Sequence, residues 1–332
     1  MSKFSSSIAL LVVGLVVGLA FFQATGTSTQ YIMESEQIHI GAQSSNDLTN
    51  ISVALYESYY SSTDLRISES RGALYNMLTW MNATVNIINQ TDILDGALWA
   101  HELLVIPEGL GPWIERNIGD EGMQMIRDWL SAGGSYIGVR GSAAMAVTDS
   151  YFEGSNTTFA LGLFNGTSLG MADLGHTLMT DVEINRDCTG PDLSDMPETM
   201  STLFRTGRYF VADPGQEMIV IARYTYNDLP AMIATHYGEG TVFLSSPHFE
   251  YEENGDLDGT DYMDRYDDPD TEWALMQRIT QWLLEDSPTV LNASTWPIPI
   301  ASDLPIPMEM LLVAGGLGGV VIVAILVFVK KR

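Results

Sequence analysis

Four short apolar runs constrain this chain more than any other feature: Ile51-Ser-Val-Ala-Leu-Tyr56, Thr84-Val-Asn-Ile-Ile88, Leu103-Leu-Val-Ile106 and Tyr136-Ile-Gly-Val139. Runs this short and this apolar suit strands buried on both faces of a parallel sheet. Between the first two, Leu74, Met77, Leu78 and Met81 recur at helical spacing. Before the fourth, Met123, Ile126 and Leu130 predict a helix over Glu121–Ala132. Strand–helix alternation of this kind implies an α/β fold with a doubly wound, mostly parallel, flavodoxin-like sheet. Ligands of such sheets bind beyond the carboxyl ends of the strands, where Pro107–Gly111 and Arg140–Ser142 fall.

From Tyr151 to about Asp228 the helical period fades. Thr177–Ile184, Arg208–Val211 and Met218–Tyr224 read as strands of an antiparallel β insertion. Ala231–Tyr237, Gly238-Glu-Gly240 and Thr241–Ser245 read as a tight hairpin, and a last helix over Thr271–Leu284 turns Leu275, Ile279, Trp282 and Leu283 inward.

Both ends of the chain are apolar. Residues 1–24, with Ile8–Phe22 following Lys3, read as a signal peptide or signal anchor. Residues 25–50 form a polar linker, with a short strand expected at Gln37–Ile40, and residues 51–286 form the folded body. Residues 287–308 are a stalk stiffened by Pro288, Pro297, Pro299, Pro305 and Pro307. Residues 309–329 are expected to be a transmembrane helix, because Met310–Val329 is uncharged and long enough to span a bilayer. The basic tail 330–332 then lies in the cytoplasm, and the body is displayed outside the cell membrane. Gly315 and Gly319 give a GxxxG spacing, a face through which the span could form a homodimer.

The charge agrees with export. A formal net charge of −27 leaves no basic stripe for nucleic acid or anionic headgroups, and no lysine occurs between Phe4 and Phe328. Six glycosylation sequons begin at Asn50, Asn82, Asn89, Asn156, Asn165 and Asn292. Cys188 is the single cysteine, so no intrachain disulfide forms, and its loop setting reads as an incidental thiol.

The segment Ile126-Arg-Asp-Trp-Leu-Ser-Ala-Gly-Gly-Ser-Tyr-Ile-Gly-Val-Arg140-Gly-Ser142 reads as helix, Gly-Gly turn, buried strand and sharp turn into a small-residue helix. That is the architecture of a nucleophile elbow. Downstream, Ser246-Pro-His248-Phe-Glu250 offers a base and a group to orient it. Together with Leu-Val-Ile-Pro107-Glu-Gly109, these segments resemble the class I glutamine amidotransferase-like superfamily, and most closely the branch named for the N-terminal domain of some biotin–protein ligases. The resemblance runs from about Ile51 to Glu285. It implies a Cys at the elbow that attacks a carbonyl, a His that takes its proton, and a Glu that orients the His.

By position, Arg140 stands where the Cys belongs, while His248 and Glu250 match the other two members. Glu108 replaces the first Gly of a Pro-Gly-Gly strand end, and Ser142 replaces the last Gly of the Gly-x-Cys-x-Gly elbow. A guanidinium stays protonated and has no lone pair with which to attack, so a catalytic triad is not expected. Two readings of Arg140 remain: it binds a small polar or anionic ligand with Glu108, Gly109, Gly141, Ser142, His248 and Glu250, or it pairs with Glu108 or Glu250 and closes the site. The rivals are an amide or ester hydrolase using Ser142, His248 and Glu250, and a structural cell-surface glycoprotein that meets another surface protein.

No cofactor is expected except calcium. Asn254, Asp256 and Asp258 match the first half of a calcium loop that Asp261 could help close, although Arg265 stands where the closing Glu belongs. The histidines His39, His101, His176 and His236 show no metal-ligand spacing.

Overall fold

Within the unit Ser44–Arg332, the computed structural model describes residues 47–59, 64–171, 176–252, 257–266 and 271–287. The expected signal segment, the Gln37–Ile40 strand, the transmembrane helix with Gly315 and Gly319, the basic tail, Asn254, Asp256 and Asn292 lie outside these residues. Among the described residues, no helix is long and apolar enough to cross a membrane.

The apolar runs form the strands their composition predicts. These are β1 (Ser52–Tyr56), β2 (Thr84–Ile88), β3 (Leu103–Ile106) and β4 (Ser135–Val139). They are linked by helices α1 (Leu65–Trp80), α2 (Gln90–Leu94) and α3 (Gly111–Ser131). A five-residue helix, α4 (Gly141–Met145), follows β4 directly. The middle of the chain supplies β5 (Val147–Phe152), β6 (Ser155–Thr158), β7 (Phe164–Gly170), β8 (Thr177–Ile184), β9 (Thr199–Arg205), β10 (Arg208–Ala212) and β11 (Ile219–Tyr224). The body closes with the hairpin β12 (Pro230–Tyr237) and β13 (Gly240–Ser245), then α5 (Trp273–Glu285).

The large sheet has nine strands in the order β2-β1-β3-β4-β13-β12-β11-β8-β9. Its first five strands are mutually parallel and the rest continue it antiparallel. It is therefore a mixed sheet, parallel in the half that carries the strand ends of interest. Alternate side chains go to opposite faces, as strand geometry requires. Val53, Leu55, Leu103 and Val105 pack with Leu74, Met77 and Leu78 of α1 and Leu275, Ile279 and Leu283 of α5. Ala54, Tyr56, Leu104 and Ile106 pack on the other face with Ile114, Ile118, Ile126 and Trp129 of α3. Helices on both faces make the winding double.

Several expectations need correction. The second sheet, β10-β7-β5-β6, is not purely antiparallel, because β5 and β7 run parallel. Strands β8, β9 and β11 leave the insertion and join the large sheet. Helix α3 is two helical stretches joined at Gly119, which has φ 75° and ψ 166°; the second agrees with the helix expected over Glu121–Ala132, and the first, from Gly111, was not anticipated. Leu48 is buried and its N–H donates to the Met81 carbonyl, so residues before Ile51 already belong to the body. Ser287, expected to open the stalk, is buried and donates to the Gly133 carbonyl.

Candidate functional site

Three neighbouring parallel strands deliver the site. β3 ends at Ile106 and leads to Glu108; β4 ends at Val139 and leads to Arg140; β13 ends at Ser245 and leads to His248. Ser245 is in register with Val139, and Ile106 with Gly138, so the three side chains meet above one edge of the sheet.

The elbow is present in full. Arg140 has φ 52° and ψ −104°, a conformation that is strained for a residue with a side chain. The surroundings hold it there. The Arg140 N–H donates to the Ser245 carbonyl (2.8 Å) and the Arg140 carbonyl accepts from the Ala144 N–H (2.8 Å). Gly141 must lack a side chain, since a Cβ there would lie 1.6 Å from the Gly109 carbonyl oxygen.

Ser142 belongs to this scaffold. Its buried hydroxyl lies 2.6 Å from the Ile106 carbonyl and 2.8 Å from the Val139 carbonyl, and it accepts from the Val139 N–H at 2.7 Å. Among the described residues no hydrogen bond joins it to His248. A hydroxyl turned into the backbone of β3 and β4 is in no position to meet a substrate.

Arg140 instead makes a buried polar chain. Its Nη1 donates to Glu108 Oε1 at 2.6 Å and its Nη2 donates to the Thr206 hydroxyl. Glu108 Oε2 lies 3.5 Å from His248 Nε2, and His248 Nδ1 lies 2.9 Å from Glu250 Oε1. Glu250 Oε1 also accepts from the Ser70 hydroxyl (2.7 Å), which in turn accepts from the Glu108 N–H (3.1 Å). Glu108, His248 and Glu250 are all buried. Burial alone would raise the Glu108 carboxyl, but Arg140, His248, Arg205 and Arg66 outweigh it and hold the group ionised below its usual range. His248 is fixed through its backbone to β9, donating to the Leu203 carbonyl and accepting from the Thr202 hydroxyl.

Beside this chain opens a cavity of about 580 Å3. Gly109, Leu110, Gly111, Arg140 and Gly141, just beyond the ends of β3 and β4, line one part of it, and Ser150, Phe152, Ser155 and Thr157 of β5 and β6 form a wall on the second sheet. Arg66, Arg205, Thr206, Arg208, Glu153 and Thr177 are also among its lining residues. The chain holds only 15 lysines and arginines against 42 acids, yet four arginines face this one space.

Their partners differ. Arg66 is held by Asp64, the N-cap of α1, through Nε (2.9 Å) and Nη2 (2.5 Å). Arg140 has Glu108. Arg205 donates to the Tyr262 hydroxyl and lies 3.9 Å from Glu108. Arg208 donates to the Ser150 hydroxyl at 2.5 Å and stacks over Phe152 at 4.5 Å. Among the described residues no carboxylate forms an ion pair with Arg208. Burial and then the nearby Arg140 push its guanidinium down to about 10, against the opposing charge of Glu153, and this still leaves it charged at neutral pH.

The sequence singled out Glu108, Gly109, Arg140, Gly141, Ser142, His248 and Glu250, and the structure brings them together. Gly109, Arg140 and Gly141 reach the cavity; the others lie beneath it. Sequence reasoning missed Arg66, Phe152, Arg205, Thr206 and Arg208. The signal for three of them was Arg205-Thr-Gly-Arg208, two rare cations across a tight turn. Among the described residues, no group of three His, Cys, Asp or Glu side chains could hold an ion; Asn254 and Asp256 of the expected calcium loop lie outside those residues. Asp258 is buried and occupied by the N–H groups of Glu252 and Thr260, each at 3.0 Å.

The family model described as biotin-protein ligase, N terminal, matches residues 53–271. The chain belongs to this family. Residue 140 of this biotin-protein ligase N-terminal-type domain therefore carries an arginine on an intact elbow. An uncharacterized protein of Chlamydia muridarum (strain MoPn / Nigg) is 29% identical over 177 residues, covering 49% of this chain and 67% of that protein. Among solved structures, a glutamine amidotransferase matches with TM-score 0.45 and 16% identity, over 63% of this chain and 99% of its own. A putative ThuA-like protein from Bacteroides uniformis matches with TM-score 0.49 and 9% identity, over 75% and 97%.

Proposed function

We propose that this domain is a non-catalytic binding module for a small anionic ligand, displayed outside a membrane on a C-terminal span. One observation carries the binding reading: Arg140 occupies the elbow and is ion-paired to Glu108, beside a cavity that gathers four arginines in a strongly acidic chain. An arginine at that position offers donors and no electron pair, so it stabilises bound negative charge and does not attack. With Arg140 at the elbow, His248 has no nucleophile whose proton it would take; its Nδ1 is held by Glu250, and its buried Nε2 faces Glu108 Oε2 at 3.5 Å without a hydrogen bond. Ser142, bonded to the strand backbone, does not replace the nucleophile.

The external display rests on the uncharged Met310–Val329 run and its basic tail. It is supported by the exposure of all five sequon asparagines among the described residues, Asn50, Asn82, Asn89, Asn156 and Asn165. The experiment has two arms on the detergent-solubilised full chain. Hydrolysis of glutamine and of an activated ester is measured with the wild type and H248A, and calorimetry follows titration with hexanoate. The reading expects no turnover that depends on His248, and saturable heat with the carboxylate. His248-dependent turnover, or no carboxylate binding, contradicts it.

A further inference from the structure

The wall formed by the second sheet has a chemistry of its own. β5 and β6 pair Ser150 with Thr157 and Phe152 with Ser155. Directly opposed residues share a face of the ladder, so three hydroxyls and one ring look into the cavity together. Ser155 is exposed and Thr157 half-buried. Thr177 adds a further hydroxyl. Hydroxyl side chains both donate and accept, which suits a ligand whose own groups do the same.

Arg208 is built into this wall. It sits on β10 opposite Gly170 of β7, and β7 separates it from β5. A Cβ on Gly170 would lie 2.5 Å from the Phe152 ring. The bare glycine thus lets Phe152 lie over β7, where the Arg208 guanidinium stacks on it. A stacked guanidinium keeps its in-plane N–H groups available for a carboxylate.

Charge decides how much anion the cavity accepts. Arg66 and Arg140 are matched by Asp64 and Glu108, Arg205 shares Glu108, and Glu153 adds a negative charge to the lining. Only Arg208 stands without a carboxylate ion pair among the described residues. That balance favours one negative charge and disfavours a phosphate dianion close to Glu108 and Glu153. A volume of about 580 Å3 exceeds what a simple hydroxy acid fills and falls in the range of ordinary ligand pockets, roughly 300–1,000 Å3.

Building on the anion-binding reading above, we infer that the cavity takes the acidic end of a saccharide. A uronic-acid type ring would place its carboxylate on Arg208, with its hydroxyls against Ser155, Thr157 and Thr177.

The test is calorimetry on the full chain in detergent with four probes. D-glucuronate carries both charge and hydroxyls, D-glucose hydroxyls alone, hexanoate charge alone, and inorganic phosphate a higher charge. D-glucuronate is expected to bind at least about tenfold tighter than hexanoate or phosphate, with D-glucose weakest. R208Q is expected to weaken D-glucuronate by about tenfold or more. The double variant S155A/T157A, at wall positions where truncation leaves the core intact, weakens D-glucuronate and leaves hexanoate unchanged.

Equal affinity for D-glucuronate and hexanoate, or preference for phosphate, overturns the saccharide inference and leaves the anion reading standing. Binding of D-glucuronate that ignores both variants also overturns the inference. Absence of binding by every anion overturns both. Should R208Q fail to fold, the S155A/T157A comparison still decides.

Discussion

Arg140 Nη1 lies 2.6 Å from Glu108 Oε1, across the ends of the neighbouring strands β4 and β3. The two side chains form one unit in structural terms. A cation at the elbow, largely buried, needs a carboxylate, and Glu108 at the end of the neighbouring strand supplies one. Each residue makes the other tolerable.

The pair is expected to behave as a unit. E108Q removes the counter-charge from a guanidinium that is only 15% exposed, and breaking one half of a buried pair costs about 3–5 kcal/mol. R140M/E108M removes both charges and should cost less than the sum of its single variants. Urea unfolding of the four proteins measures the coupling. Additive losses would show that the two side chains do not interact.

The elbow should still support a reactive thiol. In a C188S background, R140C places a thiol beside His248 but also beside Glu108, whose charge holds the thiol protonated. R140C/E108G removes that charge, and iodoacetamide labelling near neutral pH should be roughly tenfold faster than for R140C alone. Equal rates would mean that position 140 does not face the same ground as Glu108 and His248.

Gly170 tests how the cavity wall is assembled. G170A pushes a methyl group against Phe152, so the ring and the Arg208 stacked on it must move. The expected outcome is weaker carboxylate binding in calorimetry with a modest stability loss of about 1–3 kcal/mol. Unchanged binding would remove Phe152 and Arg208 from the site.

A separate pH effect belongs to the far end of the body. His236 Nδ1 lies 2.7 Å from Glu217 and Nε2 lies 2.7 Å from Asp286, which follows α5. Burial disfavours the imidazolium, but the two carboxylates outweigh it and raise the His236 pKa. Its stabilising contribution is complete below the unfolded value of about 6.5 and is lost as pH rises through the higher folded value. The clamp is partly exposed, so the loss stays within about 1 kcal/mol. His101 works in the opposite direction, because burial lowers its pKa and stability falls as that pH range is entered from above. Thermal melts between pH 6 and 9 should therefore flatten in H236N and not in H101N; an unchanged slope in H236N would contradict the clamp.

Much of the parallel half was legible because most of its strands are buried on both faces and carry continuous apolar runs, as Leu103–Ile106 does; the edge strand Thr84–Ile88 is apolar in sequence but largely exposed. The elbow was legible for a related reason: a glycine turn, an apolar strand and small residues admit few other geometries. Strands β5 and β6 were not, since Ser155–Thr158 is polar at every position and lines a cavity instead of a core. The first stretch of α3, residues 111–118, was not read because non-helical Gly119 separates it from the second, which was. Arg66 comes from α1, Arg205 from β9 and Arg208 from β10, and only the tertiary fold brings them to one space. Glu108 could be assigned to Arg140 from sequence as one of two carboxylates; that Glu250 pairs with His248 and Ser70 instead was a matter of side-chain reach.

The most direct measurement is the affinity of the full chain for hexanoate, determined by calorimetry at low and at high salt for the wild type and R208Q. The account predicts one saturable site, weakened by salt and weakened by about tenfold in R208Q. No saturable binding, or an affinity that R208Q leaves untouched, would contradict it.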